Sequence, residues 1–244
     1  MSVRAAQRRR RERLPRAERV AAIMHVAREV FCQKGYVETS TAEIAARVGV
    51  VEGTLYRYFP SKRDLLIKVV EQFYEGIFAD YERQLQGVRG TWNRLRFLVW
   101  KHLSVLHGDP AMCRLIMHEL RPWPQYRSSS VFRLNQVYTE HALAVVKEGI
   151  ANGELQATAP LAIVRDMIFG CAEHHSWAYL RGEGEFSPDE AADAITNLIY
   201  RGLTRGGQGV AEGVDGSVHR LEQAVERLEG LSPPRRRERG GGSR

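Results

Sequence analysis

The chain has 244 residues, of which 43% are hydrophobic and 27% charged, a composition typical of a globular protein with one or two domains. Its longest stretch without a charged side chain, residues 155–164, is far shorter than the roughly 20 apolar residues that span a bilayer. The arginine-rich N-terminus is not followed by the apolar core of a secretory signal, and three widely spaced cysteines do not make a disulfide framework. We therefore expect a cytoplasmic protein that does not act in a membrane.

The net charge of +7 is concentrated in two terminal segments. Residues 1–19 carry a net charge of +6 and residues 231–244 a net charge of +4, which leaves −3 for the rest of the chain. Basic segments of this kind indicate a polyanionic partner. Solvated tails without a partner are the alternative.

Apolar residues recur at helical spacing along most of the chain, and the alternation typical of strands is rare. A first helix has an apolar face from Val20 to Phe31 and ends at Gly35. A longer apolar face covers residues 65–78. Later helices are predicted over residues 91–107, 110–120, 130–151, 161–181 and 188–204. The predicted fold class is therefore all-α.

Residues 40–63 carry the most informative pattern. Ser40 and Glu43 have the spacing of a capping box, which predicts a helix that begins at residue 41 and ends at Gly49. A second, shorter helix is predicted over residues 52–58. Ala45 and Leu55 stand on either side of the turn glycine at the spacing of a helix-turn-helix, whose second helix can enter the DNA major groove. A purely structural helix pair is the alternative.

The second helix of this pair carries groups suited to DNA. Glycine lets the backbone approach a phosphate, hydroxyl groups bond phosphate oxygens, and arginine binds phosphate or reads guanine. The candidate outward residues are Glu52, Gly53, Thr54, Tyr56, Arg57 and Tyr58. Ser61 is expected to cap the following helix, whose N-terminus forms a candidate phosphate site together with Lys62.

A wider pattern surrounds this motif: Ile23–x3–Ala27–x3–Phe31–x3–Gly35-Tyr36, then Thr39-Ser40, Ile44-Ala45, Gly49-Val50, Gly53-Thr54-Leu55-Tyr56, Tyr58-Phe59, Ser61-Lys62 and Leu65-Leu66. Over residues 18–68 it closely resembles the TetR family of bacterial transcriptional regulators. The resemblance implies a three-helix DNA-binding domain, followed by a larger helical domain for ligand binding and dimerisation. It also implies that the protein binds DNA as a homodimer.

By the same resemblance, Ser40 and Thr41 contact phosphate and Lys62 holds a backbone phosphate. The residues assigned to the recognition helix are Gly53, Thr54, Tyr56 and Tyr58. Val51 stands where the family often has a small polar residue, and we expect it to contact a thymine methyl group instead.

Composition changes along the chain, together with the two domains that the resemblance implies, predict six segments. They are a basic disordered arm (1–17), the helix-turn-helix domain (18–64), the helical effector-binding and dimerisation domain (65–205), a glycine-rich linker (206–216), a short amphipathic helix (217–229) and a basic disordered tail (230–244). The short helix has coiled-coil spacing, and docking of it on the body of the protein is the alternative.

The last two predicted helices offer apolar and small residues for a four-helix dimer interface. These are Ile163, Met167, Gly170, Cys171 and Trp177 on the first, and Ala191, Ile195, Leu198, Ile199 and Leu203 on the second. Internal packing of the same faces is the alternative.

A mostly apolar pocket with a few basic groups would suit a hydrophobic, anionic effector. The candidate ligand-binding residues are Trp100, His118, Arg121, Arg127, Phe132, Tyr138, His174 and Trp177, and His102 and Glu173 are further polar residues nearby. Core packing is the alternative for each of the apolar ones.

A second resemblance concerns the effector. Val146–x2–Gly149-Ile150, Gly153-Glu154-Leu155 and Met167-Ile168-Phe169-Gly170 are similar to the acyl-CoA-responsive TetR regulators of fatty-acid degradation. This resemblance implies an acyl-CoA or a related carboxylic thioester as effector. Drug-like cations and free acids remain alternatives.

Other function classes have weaker support in the sequence. Cys171 and His175 share a helix face, but zinc takes three or four protein ligands, so we expect no metal and no cofactor. No P-loop, nucleophile elbow or His-Glu-x-x-His motif indicates an enzyme.

We expect a ligand-responsive repressor that binds a palindromic operator as a homodimer. A drug- or metal-sensing relative and a DNA-organising protein without effector are the alternatives.

Overall fold

The computed structural model describes residues 15–157 and 159–204, which form an all-helical fold without strands. The ten α-helices are α1 (Arg16–Lys34), α2 (Thr41–Val48), α3 (Glu52–Tyr56), α4 (Lys62–Leu85), α5 (Thr91–Gly108), α6 (Pro110–Leu115), α7 (Ser130–Ala151), α8 (Leu161–His175), α9 (Trp177–Leu180) and α10 (Pro188–Leu203). The predicted all-α fold class is confirmed. No described helix is long and apolar enough to cross a membrane.

The N-terminal unit consists of α1, α2, α3 and the start of α4. Helix α1 packs against both α2 and α4, and α2 packs against α3. Ile44, Ala45 and Leu55 are buried between them, as the helix-turn-helix spacing predicts. Gly49 ends α2 in the left-handed conformation, with φ 82° and ψ 34°, which glycine adopts without a steric penalty.

The helix-capping residues behave differently from one another. Ser61 and Ser187 accept hydrogen bonds from the backbone amides of Asp64 and Glu190, at 3.1 and 3.3 Å. The capping box predicted for Ser40 is wrong, because its side chain makes no cap hydrogen bond. Glu43, its expected partner, pairs instead with Lys34 and Arg47 at 2.7 Å each.

The C-terminal unit is a bundle around α5, which packs against α7, α8 and α10. Helix α4 continues from the N-terminal unit into this bundle and packs against α7, so the predicted domain boundary at residues 64–65 lies inside one helix. The predicted helix over residues 161–181 is divided at Ser176. The buried hydroxyl of Ser176 donates to the carbonyl of Ala172 at 2.9 Å.

The predicted helix over residues 110–120 changes type within its length. Helix α6 is followed by a π-helical turn, Ile116–Leu120, in which the amide of Arg121 donates to the carbonyl of Ile116 at 2.9 Å. A π turn holds one residue more than an α turn, and such turns occur often at functional sites.

The two predicted dimer helices expose only part of the predicted apolar set. Ile163, Met167 and Leu198 are 50%, 51% and 71% exposed, and Gly170, Cys171 and Trp177 are exposed as well. The outward assignment of four residues is wrong, because they are buried inside the protomer, where α10 packs against α5 and α8. These four are Ala191, Ile195, Ile199 and Leu203.

Several predicted segments lie outside the described residues. They are most of the basic arm (1–17), the linker (206–216), the short helix (217–229) and the basic tail (230–244).

Candidate DNA interface and effector cavity

Helix α3 presents most of the residues predicted to contact DNA to solvent. Val51, Glu52, Gly53, Tyr56 and Arg57 are exposed. Thr54 and Tyr58 are half-buried, whereas Leu55 faces the core. Within the part of the chain that the structure describes, the guanidinium of Arg57 makes no hydrogen bond, so it is available to a nucleic acid. Ser40 is exposed at the start of α2, beside this surface.

Three of the predicted DNA contacts are bonded to one another. The hydroxyl of Thr41, which is 8% exposed, donates to the carboxylate of Glu52 at 2.6 Å. It also lies 3.0 Å from the hydroxyl of Tyr56. Because the Thr41 proton goes to Glu52, the Tyr56 hydroxyl is the donor in the second bond. These two hydrogen bonds hold α3 against the N-terminus of α2. They also use the Tyr56 proton before any DNA is present.

Lys62 has an intramolecular role that the sequence did not indicate. Its ammonium group donates to the carbonyls of Tyr36, Val37 and Thr39 at 2.8, 3.2 and 2.7 Å. An ammonium has three donors, so these bonds use them all. Lys62 thus ties α4 to the loop that precedes α2, and the predicted phosphate contact would require one of these bonds to break.

A cavity of about 550 Å³ lies in the C-terminal unit between α4, α5, α6, α7 and α8. Four of the eight predicted ligand-binding residues line it: Arg121, Arg127, Phe132 and Tyr138. Its apolar walls also include Phe73, Ile77, Val105, Ile116, Met117 and Phe169. The volume falls in the range of small-molecule sites.

The other four predicted residues, Trp100, His118, His174 and Trp177, do not line this cavity. Trp100 packs beside Phe97, with ring centroids 6.0 Å apart. His118 and Trp177 are exposed, and their rings meet edge to face with centroids 5.6 Å apart. His174 is exposed on α8. Helix α4 also contributes Phe73, Tyr74 and Ile77 to the lining, although its apolar periodicity predicts a helix and gives no signal of a ligand contact.

Arg121 and Glu173 form a side-by-side ion pair on the cavity wall. Both terminal nitrogens of Arg121 donate to the Glu173 carboxylate at 2.7 Å. Burial alone would lower the pKa of Arg121, but the hydrogen bonds and charge of Glu173 outweigh burial and raise this pKa above its ordinary value. The pair brings two opposite charges to the wall and no net charge.

His102 is a buried polar residue of the cavity, at 7% exposure. Its Nδ1 lies 3.1 Å from the hydroxyl of Tyr138, and its ring meets that of Phe169 edge to face at 5.0 Å. Burial lowers the pKa of His102 to about 4, so the imidazole is neutral at physiological pH. Its Nε2 is buried without a hydrogen-bonding partner among the described residues.

Residues 109–121, which we call the wall segment, separate the cavity from the N-terminal unit. Cys113, Ile116, Met117 and Arg121 of the wall segment line the cavity. The opposite side of the segment is held by the N-terminal unit at both of its ends. Arg28 of α1 pairs with Asp109 at its start.

Arg63 of α4 holds the other end of the wall segment. Its guanidinium donates to the carbonyl of Glu119 at 2.8 Å. The same group lies 4.0 Å from the ring centroid of Tyr36 and 5.5 Å from that of Trp123. The wall segment therefore contacts both the cavity and the helix-turn-helix unit.

Within the described ranges, no three His, Cys, Asp or Glu side chains are grouped so that they could hold a metal ion. Cys171 and His175 thus have no third ligand among these residues.

Two family models match the chain. One, described as "Bacterial regulatory proteins, tetR family", matches residues 23–69. The other, described as "Tetracyclin repressor-like, C-terminal domain", matches residues 89–203. The first match covers the helix-turn-helix and the second covers the bundle that contains the cavity.

Individual relatives match over most of their own length. The fatty acid metabolism regulator protein of Bacillus subtilis (strain 168) is 24% identical over 181 residues, which cover 74% of this chain and 93% of that protein. The nucleoid occlusion factor SlmA of Serratia proteamaculans (strain 568) is 28% identical over 198 residues, with coverages of 78% and 96%.

A solved structure of the transcriptional regulator FadR from Bacillus subtilis in complex with stearoyl-CoA has the same fold. It superposes with a TM-score of 0.67 at 24% identity and covers 75% of this chain and 98% of that one. Together with the helix-turn-helix geometry of α2 and α3, the two family models identify the chain: it belongs to the TetR family of bacterial DNA-binding transcription regulators.

Proposed function

We propose that this protein is a cytoplasmic, nucleoid-associated repressor that binds a palindromic operator as a homodimer and is released by a hydrophobic, anionic effector, for which acyl-CoA is the favoured class. The observation that carries the proposal is the wall segment. One side of it lines a cavity of about 550 Å³ and the other side contacts the helix-turn-helix unit through Arg28 and Arg63. A ligand in the cavity therefore meets the element that supports the DNA-binding helices.

The chemistry of the cavity supports an acyl-CoA. Its apolar walls suit an acyl chain, and the exposed guanidinium of Arg127 at its edge suits an anionic group. The other arginines of the lining are compensated, Arg121 by Glu173 and Arg165 by Asp166. The related FadR of Bacillus subtilis has been solved with stearoyl-CoA, which agrees with this class.

Release from DNA follows from a population shift. A ligand changes the equilibrium between two conformations only as far as it binds one of them better. Ligand contact with Ile116, Met117 or Arg121 would favour a displaced wall segment, and Arg28 and Arg63 would transmit the displacement to α1 and α4. The two recognition helices of a dimer must lie about 34–36 Å apart to enter successive major grooves, so a small rotation suffices for release.

The exposed face of α8 and α10 supports the homodimer. Ile163 and Met167, one helical turn apart on α8, and Leu198 on α10 are all at least half exposed. Large apolar side chains that are exposed on two helices in contact with each other indicate an interaction surface. A two-fold axis at this face would pair the two helices with those of a second copy.

A DNA-organising protein is the second candidate. The match to the nucleoid occlusion factor SlmA and the basic terminal segments favour it. On that alternative the cavity has no effector role.

Both candidates are tested by selecting sites from random double-stranded DNA with the full chain and then titrating the selected complex with palmitoyl-CoA, free CoA and palmitate. We expect a palindromic site and release by palmitoyl-CoA but not by CoA alone. Selection of a site without release by any of the three compounds would contradict the effector class. Binding without sequence preference would contradict the repressor and favour the DNA-organising candidate.

A further inference from the structure

The buried end of the cavity contains a polar atom whose hydrogen-bonding capacity is unused. His102 is 7% exposed and lines the cavity together with Tyr138. One ring nitrogen, Nδ1, is 3.1 Å from the Tyr138 hydroxyl, whereas Nε2 has no partner among the described residues. Buried polar groups in folded proteins are nearly always paired, so an exception at a cavity wall points to a ligand or an ordered water.

The bond to Tyr138 decides what Nε2 offers. Among the described residues, the buried Tyr138 hydroxyl has one hydrogen-bonding neighbour, the Nδ1 of His102. A phenol finds its best acceptor in the unprotonated nitrogen of a neutral imidazole, so Tyr138 donates to Nδ1 and the ring proton is on Nε2. Nε2 is therefore an unsatisfied hydrogen-bond donor that could bond an oxygen acceptor.

The surroundings of His102 favour a neutral acceptor over an anion. Burial keeps the imidazole itself uncharged, since its pKa falls to about 4. The charged groups that act on it electrostatically are Glu173 and Arg121, which compensate each other through two bonds of 2.7 Å. A carboxylate at this depth would find no uncompensated cation and would lose its hydration.

We propose that His102 is a specificity-determining residue of the effector cavity, which donates from Nε2 to a neutral hydroxyl or keto oxygen carried on the acyl chain of the ligand. This inference rests on the proposed acyl-CoA class and narrows it to oxygenated acyl chains.

Selectivity between acyl chains distinguishes a chain oxygen from the thioester carbonyl. The phosphates of a CoA ester must stay near solvent, where exposed Arg127 stands at the edge of the cavity. The pantetheine arm separates the thioester from the phosphates, so burial alone does not exclude the thioester carbonyl. That carbonyl is common to every acyl-CoA, so the bond that would let the nearly buried His102 select between acyl chains is one to an oxygen further along the chain.

Isothermal titration calorimetry on the full chain tests the inference. The probes are hexadecanoyl-CoA and a series of hexadecanoyl-CoA isomers with one hydroxyl or keto group at successive chain positions. The variants are His102→Leu and Thr139→Val. Thr139 also lines the cavity, but its hydroxyl already donates to the carbonyl of Gln136 at 3.1 Å, so Thr139→Val is the matched control for loss of a polar atom.

We expect the wild type to bind at least one oxygenated isomer about 10-fold more tightly than the plain chain, since a site built to bond an oxygen discriminates against ligands without it. His102→Leu should abolish this preference, and Thr139→Val should keep it. Equal affinity of the wild type for plain and oxygenated chains would overturn the inference, as would a preference that survives in His102→Leu. Failure of every acyl-CoA to bind would instead refute the effector class itself, and this inference with it.

A second measurement does not depend on a foldable variant. Nitrogen-15 spectra of the wild type with labelled histidine report the protonated nitrogen of His102. The Nε2 resonance should shift with the preferred oxygenated isomer and remain unchanged with the plain chain. Identical shifts with both ligands would contradict the proposed bond.

Discussion

The guanidinium of Arg63 donates a 2.8 Å hydrogen bond to the backbone carbonyl of Glu119, and this bond joins the helix-turn-helix unit to the wall of the cavity. Arg63 is held in place from the DNA-binding side by Tyr36, whose ring centroid is 4.0 Å from the guanidinium carbon. The contact lies one residue before the end of the π turn and two before Arg121, which lines the cavity.

Arg63→Gln should therefore weaken the coupling between ligand and DNA. Coupling free energies in allosteric proteins are typically about 1–3 kcal/mol. We expect the palmitoyl-CoA concentration needed for half-release of the selected operator to rise roughly 10-fold, while calorimetry of ligand binding without DNA changes little. Lys68→Gln is the matched control, because exposed Lys68 of the same helix pairs, within the described part of the chain, only with Glu71. An unaltered release curve in Arg63→Gln would refute this role.

Lys62→Met tests whether Lys62 stabilises the fold through its bonds to backbone carbonyls or contacts a DNA phosphate. Loss of three bonds from a charged donor should lower the free energy of unfolding by about 1.5–3 kcal/mol. If Lys62 binds phosphate, the slope of log K for operator binding against log salt should also fall in magnitude by about 0.9. We expect the stability loss without the change in slope. The measurements are urea unfolding and DNA binding at several salt concentrations.

Gly149 and Gly76 should respond in opposite directions to alanine. A Cβ on Gly149 would lie 2.8 Å from the Leu155 side chain and 2.9 Å from that of Thr91. We expect Gly149→Ala to destabilise the fold by about 1–3 kcal/mol through overpacking. Gly76 is an exposed helical glycine, and an added Cβ would have no neighbour within 4 Å outside its own helix turn, so Gly76→Ala should stabilise by about 0.5–1 kcal/mol. Thermal unfolding gives the melting temperature of each variant relative to wild type. Equal changes in melting temperature for the two variants would contradict the packing argument.

Burial of His102 predicts a specific pH dependence of stability. Its pKa is about 4 in the folded protein and 6.5 as the ordinary value, so on acidification the unfolded chain takes up this proton first. The contribution of neutral His102 to the free energy of unfolding is complete above pH 6.5. It is lost as the pH falls from there towards 4, by about 1.4 kcal/mol per pH unit. Urea unfolding at pH 7.5 and pH 5 should show a smaller acid loss in His102→Leu than in wild type. Parallel losses would mean that other groups dominate this range.

Leu198→Glu tests the dimer face. Leu198 is 71% exposed on α10, so a charge there should not disturb the protomer but should repel a second copy. We expect monomers in sedimentation and loss of operator binding, with little change in melting temperature of the protomer fold. Val137→Glu is the control, because Val137 is a 51% exposed apolar residue on α7, which is not one of the two proposed interface helices. Dimers that persist in Leu198→Glu would contradict the interface.

Local signals were sufficient to predict the helices and the helix-turn-helix. Gly49, Pro188 and the 3.6-residue periodicity act within a few residues, and the structure has helices where they predict them. Ala45 and Leu55 are buried because the motif requires one small and one apolar contact at that spacing.

The cavity and the contacts between units depend on neighbours that are distant in sequence. Periodicity assigns Trp100 and Tyr138 to apolar faces, but it does not say which face borders a void. Only Tyr138 does so. Likewise, the partners of Lys62 and Arg63 are backbone carbonyls up to 56 residues away, and a carbonyl has no signature in sequence. The same limit explains Ile195, which faces the core, although its neighbour one turn on, Leu198, faces solvent.

The π turn at Ile116–Leu120 has a consequence for chain length. It adds one residue to the turn and so rotates all that follows by about 100° relative to a continuous α-helix. Deleting a single residue here would restore α-helical spacing and carry Arg121 away from Glu173, leaving that carboxylate without its cation at the cavity wall. A one-residue deletion at this point is therefore a minimal route from one ligand chemistry to another, without any substitution among the lining residues.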